Sequence, residues 1–125
     1  MNIDKQIGYW VGVSKEDLIT AELLINNNRL LHGLFWCHLT IEKLIKAIVV
    51  KETNQVPPKS HNLIWLLDKT DIMLSKEQEM LIGKLMVYQL EGRYPEHFPS
   101  PPLKIEAYEI LEATKTFHKW LINKL

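Results

Sequence analysis

The chain has 125 residues, enough to bury a real core as one domain spanning 1–125, and close to the size at which association helps. Its 15 basic and 15 acidic residues cancel, so no long-range field favours nucleic acid or a membrane surface, although a small local basic site is still allowed. The single Cys37 excludes an intrachain disulfide and suits a reducing cytoplasm. The N-terminus lacks the layout of a signal peptide, and no apolar run approaches the roughly 18 residues of a membrane span.

The first helix is expected from about Ile3 to Asn27, with one stripe formed by Ile3, Ile7, Trp10, Val11, Leu18, Ala21, Leu24 and Ile25. Ser14 with Asp17 can cap a fresh start after Gly12, which allows a kink there. The run Asn26-Asn27-Asn28 ends the helix, because asparagine tolerates the left-handed conformation found at helix C-termini. So short a turn sends the next helix back antiparallel.

That second helix, Leu30 to about Glu52, organises the chain. Leu31, Leu34, Phe35, Ile41, Ile45 and Ile48 repeat at helical spacing, while Trp36, Leu39, Leu44 and Val50 fill other faces. A helix apolar most of the way round must be covered on several sides, so it is expected at the centre of a bundle. Cys37 lies within it and reads as an inert buried thiol. His38 and Glu42, four residues apart, can touch, with Lys43 and Lys46 flanking the carboxylate. The pair can transfer protons, or it can be a buried polar pair whose members satisfy each other. No metal or other cofactor is expected: the His-x-x-x-Glu spacing occurs once and is not the Glu-x-x-His of di-iron bundles.

Pro57-Pro58 breaks the chain, and Ser60 reads as the N-cap of a short helix from His61 to about Lys69, with Leu63, Leu66 and Leu67 inward. His61 then sits in a first turn beside Lys59 and Ser60, where backbone N–H groups attract anions. The alternative is a solvated histidine. Ser75 with Gln78 is a capping box opening a fourth helix that carries Met80, Leu81, Leu85, Val87, Tyr88 and Leu90, with Gly92 at its end. Arg93 to Pro102 holds four prolines and is expected to be irregular. Within it Arg93 can grip a phosphate and Tyr94 or Phe98 can stack on a base; equally, Arg93 can pair with Glu91 or Glu96. A last helix from about Lys104 to Leu125 places Ile105, Tyr108, Leu111, Ala113, Phe117 and Leu121 near one side. Trp10, Trp36, Trp65 and Trp120 read as core or interface packing. The fold class is an all-α up-and-down bundle of about five helices.

Four stretches, in order, resemble the HEPN domain family of small helical proteins: Tyr9, Trp10, Asp17, Leu18 and Ala21; His38, Glu42, Lys43, Lys46 and Ala47; His61 and Leu63; Arg93, Tyr94 and Pro95. The resemblance covers nearly the whole chain. It implies a four-helix core, a homodimer, and a nucleotide- or RNA-binding role. It further implies action with a separately encoded minimal nucleotidyltransferase in a toxin–antitoxin system. Other members are metal-independent ribonucleases in which an arginine is followed, after four to six residues, by a histidine. Here three residues separate Arg93 from His97, with Pro95 in the gap, a departure that favours the binding branch. The ligand-binding candidates are therefore Arg93, Tyr94, His61, Ser60, Lys59 and Lys46. If the chain were a variant ribonuclease, Arg93, His97, His38 and Glu42 would be the candidate catalytic residues. A purely structural dimer is the remaining reading.

Overall fold

A computed structural model describes residues 1–125. The elements are α1 (Ile3–Asn26), α2 (Leu30–Thr53), α3 (Leu63–Leu67), α4 (Lys76–Val87), a single 3-10 turn (Pro95–His97) and α5 (Lys104–Ile122), with no strand. No helix is long and apolar enough to cross a membrane.

The hairpin of α1 and α2 is the frame. Asn2 caps α1 by accepting from the Lys5 N–H, and the helix then runs unbroken past Gly12. Ser14 does not cap a second segment. It is buried, donates to the Val11 carbonyl at 2.7 Å and lies 3.0 Å from His118 Nε2 on α5. Because the hydroxyl proton goes to Val11, Ser14 accepts from the His118 ring. Asn28, at φ 62°, makes the left-handed turn between the helices. Near this turn the two helices touch closely: a Cβ on Gly33 would lie 2.4 Å from Ile25 Cγ1.

Fifteen of the 24 residues of α2 are buried, more than on any other helix, because α1, α3, α4 and α5 all pack on it. Asn54, also left-handed, ends it. Lys51 donates to the carbonyls of Lys124 and Leu125 and so ties the end of the chain to α2.

The smaller elements depart in detail from the sequence expectation. The third helix is one short turn beginning at Leu63, and Asn62 rather than Ser60 caps it, accepting from the Trp65 N–H. The Ser75–Gln78 capping box forms as expected. On α4 the buried side chains are Leu81, Ile82 and Leu85, whereas Met80 and Val87 are exposed. The stretch 93–102 is not wholly irregular. Pro95 opens the 3-10 turn, where its fixed φ is suitable and its missing N–H would have had no helical partner. On α5 the inward stripe is Ala107, Ile110, Leu111, Thr114, Phe117, His118 and Leu121. Ile105 and Ala113 are exposed because each lies two residues, about 200°, from a member of that stripe. Trp65 is exposed, with Lys69 4.5 Å above its ring, while Trp10, Trp36 and Trp120 are partly buried.

Candidate functional site

His38, Glu42 and Lys46 recur every four residues on α2, so they form one stripe along its length, and all three are buried. Glu42 is fully buried. Its Oε2 lies 3.2 Å from Lys46 Nζ and 3.6 Å from Lys43 Nζ, and its Oε1 lies 3.0 Å from His61 Nδ1. A carboxylate removed from water survives only when such partners replace its hydration. Both ammonium groups also sit over the Trp10 ring of α1, at 5.7 Å for Lys43 and 5.4 Å for Lys46.

His38 does not form the expected hydrogen bond with Glu42. Its Nδ1 is 3.8 Å from Oε1, beyond hydrogen-bond length, and has no other partner. Its Nε2 instead lies 3.0 Å from the His61 carbonyl. A carbonyl only accepts, so the proton is on Nε2 and Nδ1 carries a lone pair. Burial pushes the imidazole down to about 4, against the pull of Glu42, so the ring is neutral at pH 7. The geometric partner of Glu42 is therefore His61, nineteen residues away, rather than His38.

His61 is where these groups converge. His38 holds its backbone carbonyl, Glu42 holds its Nδ1, and Glu91 lies 3.3 Å from its Nε2. Its side chain is 39% exposed, so it is the member of the chain Lys46–Glu42–His61 that meets solvent. It does not sit in a helical first turn. Ser60 turns the chain locally by accepting from the Asn62 N–H, and Asn62 then caps α3. The anion-attracting helix start expected at Lys59–His61 is thus displaced by two residues, onto a helix of a single turn.

Asp17 approaches the same cluster from α1. It is nearly fully buried, Oδ2 has no hydrogen-bond partner, and burial pushes its carboxyl from 3.8 up to about 6 despite the nearby Lys43. The indole N–H of Trp10 likewise has no partner. Cys37 is a separate matter: burial pushes its thiol up to about 12, which leaves it inert.

The remaining candidates lie on the connection after α4. Arg93 Nη1 donates at 3.3 Å to the Val87 carbonyl, at the end of α4 where a cation is favoured, and it pairs with neither Glu91 nor Glu96. Tyr94 is 71% exposed. His97 is exposed and ends the 3-10 turn. Lys59 is exposed, whereas Lys46 is buried and directed at Glu42. The structure thus brings His61, Glu42 and Lys46 together, and joins them through Glu91 to the segment carrying Arg93 and Tyr94. By sequence Glu91 is expected only as a partner for Arg93. Nothing in its local spacing points to His61, thirty residues earlier in the chain.

The description of the HEPN domain family matches residues 7–125. Among curated proteins and among solved structures there is no match.

Proposed function

The chain belongs to the HEPN domain family, and on that premise we propose that it is a binding module for a nucleotide or RNA end. In this reading it assembles as a homodimer and acts with a separately encoded minimal nucleotidyltransferase in a toxin–antitoxin system. At the level of the family it is a nucleotide- or RNA-related module, and such domains often dimerise. The observation that carries the ligand site is the half-exposed His61, fixed at its backbone by His38 and at its ring by Glu42, beside the segment bearing Arg93 and Tyr94. Lys59 and Ser60 precede it on the same turn. In this role Arg93 offers its remaining N–H groups to a phosphate, and the exposed Tyr94 ring offers a face to a base.

Isothermal titration with a panel of nucleotides tests the site. Arg93→Ala should weaken binding by about 1–2 kcal/mol more than Lys104→Ala, because a guanidinium fork makes paired charge-assisted bonds and a surface lysine is a screened point charge. Arg93→Lys should recover only part of the loss. Equal losses at 93 and 104 would reduce the contact to general electrostatics. Copurification with a nucleotidyltransferase encoded beside this chain tests the partner.

One observation favours the ribonuclease alternative. A half-exposed imidazole oriented by a buried carboxylate has the arrangement of an acid–base group. Incubation with labelled RNA separates the two, since a binding module leaves the RNA intact.

A further inference from the structure

His61 is approached at its two ring nitrogens by carboxylates of opposite character. Glu42, on Nδ1, is fully buried and anchored by Lys46 and Lys43. Glu91, on Nε2, is 56% exposed and lies 3.3 Å away, longer than the 2.7–2.9 Å typical of a strong charge-assisted bond. Its own backbone N–H is accepted by Gln89 Oε1, so the main chain is held independently of the side chain. Gly92 follows at φ +81°, a turn that leads directly to Arg93 and Tyr94.

A protonated imidazole presents an N–H group at each nitrogen, the inner one donating to Glu42 and the outer one facing Glu91 at ion-pair distance. The outward Nε2–H is the donor that an anionic ligand would need, and the Glu91 carboxylate stands in front of it at ion-pair distance. The contact is exposed and therefore weak, whereas the one to Glu42 ends on a fully buried carboxylate oxygen that would lose its hydrogen bond if it broke. The inner bond is built to stay and the outer one to exchange.

Resting on the reading of this site as nucleotide- or RNA-binding, we infer that Glu91 is an intramolecular latch. Its carboxylate stands in at His61 Nε2 for the phosphate of a ligand, and it must swing out before a phosphate monoester can bind. The ligand class is a terminal phosphate, as on a nucleotide or a phosphorylated RNA end. A phosphate seated on Nε2 lies near the segment carrying Arg93 and Tyr94.

The test is isothermal titration of inorganic phosphate and of AMP into the full chain and its variants. Glu91→Gln keeps the shape and removes the charge. It should tighten both ligands by about tenfold, the factor expected if the latch is closed roughly nine-tenths of the time. Glu96→Gln removes the same charge from the same connection and should change affinity by less than about twofold, as expected of a screened exposed charge. Adding His61→Asn to Glu91→Gln should abolish the gain. As a readout that needs no disruptive change, the His61 Nε2 resonance should move on phosphate addition, and further in Glu91→Gln at equal ligand. Wild-type binding with no gain in Glu91→Gln over Glu96→Gln would overturn the latch and leave the site reading standing. No binding of either ligand to any form would overturn the site reading itself.

Discussion

Glu42 Oε1 lies 3.0 Å from His61 Nδ1, although Glu42 is on α2, His61 is in the loop before α3, and only Glu42 is fully buried. A charge in the packed interior is thereby coupled to a ring that meets solvent. Glu42 does not act alone, since Lys46, itself only 5% exposed, directs its ammonium group at the other carboxylate oxygen.

That coupling makes Glu42 costly to alter. Glu42→Gln should destabilise the fold by about 3 kcal/mol, because it strands the buried Lys46 charge. Urea unfolding measures it. A loss below about 1 kcal/mol, the level of an exposed pair, would show that Lys46 reaches water by another route.

The α1–α2 contact supplies a second test. Gly33→Ala should cost about 1–3 kcal/mol, since the new methyl would meet Ile25 Cγ1 at 2.4 Å and one helix would have to move. Gly83→Ala on the exposed face of α4, where nothing lies within 4 Å, should instead stabilise by about 1 kcal/mol through helix propensity. Opposite signs from the same substitution would distinguish close packing from a general effect of glycine.

Asp17 predicts a pH dependence. Its folded carboxyl titrates near 6 and its ordinary value is 3.8, so the folded state holds the proton more tightly. Stability from this group is fully present below about pH 4 and is lost as pH rises through 6. Asp17→Asn should therefore exceed wild type by about 2 kcal/mol at pH 7, with the difference vanishing near pH 4. His38 acts in the opposite sense: held down at about 4 from 6.5, it contributes stability above 6.5 that is lost as pH falls through 4. Urea midpoints of wild type and Asp17→Asn across this range isolate the Asp17 contribution by difference.

The proposed homodimer has an expected surface. Ile19 and Leu23 are 62% and 61% exposed one turn apart on α1, with Tyr9 at 59% farther up the same helix. Light scattering at micromolar concentration should give twice the chain mass, and Ile19→Glu with Leu23→Glu should give the monomer without loss of helix. A monomeric wild type would end the dimer proposal.

The helices themselves were legible in the residues. Their apolar periodicity, the Ser75–Gln78 box and the asparagines after α1 are local signals, because helical hydrogen bonds and caps join residues at most a few positions apart. Local signals misled where two neighbouring caps compete. Ser60 and Asn62 are both good N-caps; in the fold the Ser60 hydroxyl accepts from the Asn62 N–H, and Asn62 caps the helix. They also missed the 3-10 turn, since counting prolines says nothing of which proline can open a turn.

The candidate site was half visible. The spacing of His38, Glu42 and Lys46 on one face follows from the helix repeat alone. Which histidine the carboxylate engages does not: His38 lies one turn from Glu42 yet bonds the His61 carbonyl, and the ring of His61 takes the carboxylate. Glu91 arrives from beyond α4, a separation across which no sequence period carries information. The chain by itself determined five helices and a buried polar stripe on the central one. Tertiary packing alone decided that His61 completes that stripe, because hydrogen bonding requires atoms to meet within about 3 Å and only the folded bundle brings these together.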